Sequence, residues 1–116
     1  MIHKYSEQFA EFKPNIRGGE GKPLFRHLFS GEELGGRATM LSVLTLQPGE
    51  SVGVHDHVDN GEVYFVLSGK LMVQEDGVET ELHPGDAEFC ADGHSHGIRN
   101  HTNESATFVA LILPNR

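Results

Sequence analysis

The 116-residue chain has a single cysteine, Cys90, so it can form no internal disulfide, and a reducing compartment is expected. No apolar run approaches the roughly 20 residues that cross a bilayer as a helix. The first residues, MIHKYSEQFAEF, lack the continuous apolar core of a secretory signal. Together these absences predict a cytoplasmic protein with no membrane partner. Positive charge is also scarce. Nine Lys and Arg stand against 17 Asp and Glu, a formal net charge of −8. Such a surface repels nucleic acid and anionic membranes, so neither is expected as a partner. The segment GEGKP at 19–23 has Ile16 where the first glycine of a phosphate-binding loop would stand. The chain has no internal repeat, no low-complexity segment, no helix-turn-helix pattern and no long helical periodicity.

What is present is a β rhythm. Short apolar segments are punctuated by Gly and Pro, and they predict strands over 24–29, 39–46, 52–57, 62–67, 70–75, 78–82, 87–90, 95–100 and 106–113. Gln47-Pro48-Gly49-Glu50 and Pro84-Gly85-Asp86 read as turns, and Asp76-Gly77 as a hairpin turn. The pattern predicts an all-β sandwich or barrel in one domain over 24–116, preceded by an arm over 1–23. In the arm, Ile2, Tyr5, Phe9 and Phe12 fall at near-helical intervals, which suggests a short helix or an irregular arm. Two strands, Val63 to Leu67 and Phe108 to Leu113, are apolar on both faces. A sheet with one face in water alternates polar and apolar residues, so something must cover the outer face. So short a chain has little spare length for that, and a homodimer is expected.

Eight histidines are many for this length. His55 and His57 are two residues apart, so on a strand they share a face. Gly61 suggests a turn before Glu62, and a hairpin there would bring this carboxylate back to the histidines. Two imidazoles and a carboxylate converging on one point outline a first-row divalent metal site. Downstream, His94 and His96 again share a strand face, and either can supply a further ligand.

The spacings now become specific, because the chain resembles a cupin. The first cupin motif is Gly, five residues, His-x-His, three or four residues, Glu, six residues, Gly. It is matched by Gly49, His55, His57, Glu62 and Gly69. The second motif is Gly, five residues, Pro-x-Gly, two residues, His, three residues, Asn. It is matched by Gly85, Gly93, His96 and Asn100, with Ala91 in place of the proline. The resemblance implies a double-stranded β-helix, or jelly-roll, barrel. It also implies a metal held by His55, His57, Glu62 and His96, and so selects His96 over His94. Nitrogen and oxygen donors without thiolate suit Mn, Fe, Ni, Co or Zn. On an octahedral ion these ligands leave positions open for water or a chelating substrate.

The remaining polar residues have two readings each. His94, if it shares the inward face with His96, is a candidate general acid/base; otherwise it is an exposed turn residue. Tyr64 shares a face with Glu62 and is either a catalytic hydroxyl or a core tyrosine. Arg26 and Arg99 either bind a substrate carboxylate or solvate the surface. Cys90 reads as a small core residue. The expected function is a metal-dependent enzyme acting on a small oxygenated molecule, such as a sugar, sugar acid, keto-acid or hydroxy-acid. Its chemistry would be that of an isomerase, a lyase or a dioxygenase. The alternatives are a non-catalytic module that binds a small molecule and a purely structural metalloprotein.

Overall fold

The computed structural model describes residues 1–115. Ten strands follow in order: β1 Ala10–Phe12, β2 Leu24–Ser30, β3 Met40–Leu46, β4 Ser51–Asp56, β5 Asn60–Ser68, β6 Leu71–Glu75, β7 Val78–Leu82, β8 Ala87–Cys90, β9 Ser95–Arg99 and β10 Ala106–Pro114. They form a six-stranded sheet, ordered β1-β2-β3-β10-β5-β8, and a four-stranded sheet, ordered β4-β9-β6-β7. All the pairings are antiparallel. This is the all-β jelly-roll barrel that the motifs imply. No helix among the described residues is long and apolar enough to cross a membrane.

Each strand that lines the barrel changes character along its length. On β5 the inward residues run Glu62, Tyr64, Val66, and on β9 they run His96, Ile98. Leu44 and Leu46 of β3, Leu71 and Val73 of β6, and Ala106, Phe108 and Ala110 of β10 complete an apolar core with Val66 and Ile98. One end of the barrel is therefore a close-packed core and the other a polar interior.

One local expectation is corrected. The run after Gly61 does not return as a hairpin beside β4. β4 pairs with β9, whereas β5 crosses to the other sheet and pairs with β10 and β8. In the arm, a 3-10 turn at Tyr5–Glu7 is followed by the short strand β1, which pairs with β2. The alternation of β1 turns Glu11 inward, where it meets His27 Nε2 at 2.7 Å, while His27 Nδ1 meets the buried Ser42 hydroxyl at 2.7 Å.

The rest of the arm lies along β4. Ser51 donates its N–H to the Glu20 carbonyl, and Lys22 donates its N–H to the Glu50 carboxylate. A Cβ at Gly53 would collide with the Arg17 carbonyl oxygen, so only glycine lets the arm approach β4 this closely. Gly69, at φ +74°, turns the chain from β5 to β6 with no room for a side chain against Ala106.

Candidate metal centre

β4 and β9 place His55 directly opposite His96. His57 follows just after β4 and is tied to the turn before β9. Its N–H donates to the His94 carbonyl, and its own carbonyl accepts from Gly93 N–H. Glu62 reaches the three histidines from the opposite sheet, across the barrel interior. Its Oε1 lies 3.1 Å from His57 Nε2, 3.0 Å from His96 Nε2 and 3.6 Å from His55 Nε2. The Nε2 atoms of His57 and His96 are 3.1 Å apart. The structure thus brings His55, His57, Glu62 and His96 together, with ligand atoms all within 4.8 Å of one another. It leaves out His94.

The other ring nitrogens explain why this cluster fits a cation. His55 Nδ1 is 2.7 Å from the Gly53 carbonyl oxygen, which can only accept, so Nδ1 carries the hydrogen. His96 Nδ1 is 2.9 Å from the Glu88 carboxylate and donates to it in the same way. His57 Nδ1 is 2.8 Å from Asn60 Oδ1. In neutral imidazoles these contacts turn three Nε2 lone pairs towards one carboxylate oxygen. Lone pairs and an anion packed this closely repel one another unless a positive charge lies among them.

Protonation answers the same demand in the metal-free protein. Burial works against a charge on His96, but Glu62 and Glu88 outweigh it and push its pKa up to about 9. Burial would also raise Glu62, but the imidazoles of His55, His96 and His57 around it prevail and hold it at about 2.

A cavity of about 270 Å³ opens onto the cluster. His55, His57, Glu62 and Tyr64 form its polar wall, with Phe25, Leu44 and Ile112 among the apolar residues. Two cations from the arm, Lys13 and Arg17, also line it. A larger cavity of about 540 Å³ under the arm shares Lys13 and Met40 with this one and holds none of the clustered ligands.

Tyr64 is fully buried and its ring stacks on His96 at 4.5 Å. Burial, then Glu62 and Glu88, push its phenol well above its usual pKa, so it stays protonated near neutral pH. The expectation that His94 shares the inward face with His96 is not met. β9 begins at Ser95, and strand alternation does not extend into the turn that holds His94. The His94 side chain is 55% exposed and pairs with Asp76. Arg99 pairs with Glu79 on the surface, and Arg26 lies over the Tyr5 ring. Cys90 is buried, and burial pushes its thiol up to about 12.

Asn100 is buried and serves the turn after β9. Its Nδ2 donates to the Leu46 and Glu104 carbonyls, and its Oδ1 accepts from Thr102. Sequence reasoning missed Lys13, Arg17 and Glu88. The first two lie in or beside the Pro14–Pro23 loop, where no periodicity assigns a face. Glu88 carried one signal, a charged residue between the apolar Ala87 and Phe89 in a short strand.

The family model described as "Cupin domain" matches residues 42–112. The "Oxalate-binding protein" of Thermotoga maritima is 34% identical over 113 residues, covering 97% of this chain and 93% of that one. The "Tetracenomycin polyketide synthase protein TcmJ" of Streptomyces glaucescens is 33% identical over 89 residues, 77% of this chain and 60% of that one. Among solved structures, a "predicted oxalate decarboxylase" from Thermotoga maritima superposes with a TM-score of 0.94. It is 34% identical, and the match covers 98% of this chain and 99% of that one.

Proposed function

This chain belongs to the cupin family, and we propose that it binds a divalent transition metal through His55, His57, Glu62 and His96 and holds a small chelating carboxylate beside it. Mn, Fe, Ni, Co and Zn suit the donor set. The bound ion would supply Lewis acidity towards a carboxylate. The observation that carries this reading is the charge of the cavity, where Lys13 and Arg17 share the lining with the metal cluster. Two cations and an ion favour a compact dianion, and a cavity of about 270 Å³ is small. The name of the similar Thermotoga protein supports oxalate as the first probe.

Calorimetric titration of oxalate into Mn²⁺-loaded protein is expected to show binding that disappears when a chelator removes the ion. Absence of binding for oxalate, malonate and a simple 2-hydroxy acid with each of the five metals contradicts the proposal.

A catalytic reading of the same site rests on Tyr64, whose protonated phenol lies in the cavity wall beside the ligands. Release of CO2, isomerisation of the ligand or consumption of oxygen by the loaded protein would assign lyase, isomerase or dioxygenase chemistry. Stoichiometric binding without turnover assigns a binding module.

Separately, we propose a second copy of this chain as partner. On the six-stranded sheet the outward rows run Ala87, Phe65, Val109, Val43 and Phe89, Val63, Leu111, Leu41 across β8, β5, β10 and β3. These rows contain no charge, in a chain whose net charge is −8. Phe65 is 40% exposed and Phe89 54%. A homodimer across this face would cover it, and sedimentation equilibrium is expected to give twice the chain mass.

A further inference from the structure

We propose that Glu88 is a positioning residue for the metal: it holds His96 with Nδ1 protonated and Nε2 aimed at the ion, and its charge strengthens His96 as a ligand. This rests on the metal reading above and adds a residue that neither cupin motif contains.

The strand β8 inverts the usual alternation at Glu88. Residues pointing into the barrel should be apolar and those pointing out polar. Two residues of β8 do the reverse, since Glu88 faces inward opposite Tyr64 and Phe89 faces out. A carboxylate buried to this degree, 8% exposed, is costly unless its charge is matched.

The partner of Glu88 is the His96 imidazole. Nδ1 is 2.9 Å from Oε1 and 3.0 Å from Oε2, so the carboxylate straddles the N–H. The His96 side chain is 0% exposed, so no water can take over that contact. Tyr64 stacks on the ring at an interplanar angle of 7°, which fixes its plane. Plane and hydrogen bond together leave the Nε2 lone pair one direction, towards Glu62, His57 and His55.

The three histidines are held differently. His55 uses the Gly53 carbonyl and His57 uses the Asn60 side chain, both uncharged. Of these three, His96 alone has a carboxylate at Nδ1. A negative charge on Nδ1–H pushes electron density towards Nε2 and makes that ligand the most basic of the three. Glu88, Cys90 and His96 also form a group that could hold an ion by itself. However, the Nδ1 that such an ion would need already donates to Glu88.

The test uses Co²⁺ as a probe, because its visible bands report ligand field as well as occupancy. Affinity and spectrum are measured for the wild type, Glu88→Gln and Glu88→Ala, with melting of each metal-free protein measured alongside. Glu88→Ala is expected to weaken Co²⁺ binding by about 10–100-fold. Glu88→Gln keeps an oxygen that accepts from Nδ1 but loses the charge, so it should recover part of that affinity and still shift the visible bands. A purely structural role would lower the melting temperature and leave affinity and bands of the folded variants at wild-type values, which overturns the inference. If Glu88→Ala does not fold, Glu88→Gln decides: wild-type affinity with unshifted bands overturns it, and weaker binding with shifted bands supports it. Wild-type protein that takes up no Co²⁺ overturns the metal reading itself, and with it the premise for Glu88.

Discussion

β5 has two faces that break the usual rule of burial in opposite ways. Inward it presents Glu62 and then Tyr64, with a carboxylate buried among three histidines. Outward it presents Val63, Phe65 and Leu67, and the last two are exposed. A buried charge is costly unless an opposite charge compensates it, and a broad exposed apolar face is rare in a monomer. Each face therefore describes what should lie against it. The inner face calls for a cation, and the outer face for another apolar surface. The two demands are independent, because residues of opposite parity on one strand meet them.

That independence can be broken experimentally. The largest effect is expected from Glu62→Gln, which removes the anion shared by the three Nε2 atoms. Co²⁺ titration should show a loss exceeding the ~10–100-fold expected of an outer carboxylate, with an unchanged oligomer mass.

A change of pH tests the same face without mutation. His96 is raised from 6.5 to about 9, so between those values a proton must leave before a metal can bind. Metal affinity should fall by about tenfold per unit as pH drops from 9 towards 6.5, and flatten above 9. Affinity independent of pH across that window would show that His96 holds no competing proton.

The outer face is tested by Phe65→Lys, which places charge at the centre of the apolar rows. Sedimentation should report a shift from dimer to monomer, while metal stoichiometry stays at the wild-type value. A dimer that persists places the contact elsewhere on the molecule.

The smallest effect concerns the two cations that line the cavity. Replacing Lys13 and Arg17 together by Ala should weaken oxalate binding by about tenfold or more and leave metal affinity unchanged. Unaltered oxalate affinity would mean that the arm cations do not touch the ligand.

Much of the inner face was legible in the sequence, because strand alternation and the two cupin motifs have fixed spacings. His55, His57, Glu62 and His96 meet as those spacings imply. What the spacing hid was the direction of approach. Glu62 follows the histidines closely in sequence, which suggests a hairpin, yet the chain crosses to the other sheet and the carboxylate arrives from across the barrel. His96, far away in sequence, is instead the direct cross-strand neighbour of His55.

The outer face was legible from the doubly apolar runs of β5 and β10. His94 was misread because alternation was extended one residue beyond the strand that supports it. Lys13, Arg17 and Glu88 escaped for a different reason. Their roles depend on which segments pack together, and neither the arm along β4 nor β8 beside His96 has a periodic signature.

Metal titration of stripped protein decides whether the His55, His57, Glu62 and His96 cluster is a metal site. Chelator-treated protein titrated with Mn²⁺, Fe²⁺, Co²⁺, Ni²⁺ and Zn²⁺ should bind one ion per chain for at least one of them, and Glu62→Gln should lose that binding. Failure to bind any of the five, or binding that Glu62→Gln leaves intact, would contradict that assignment.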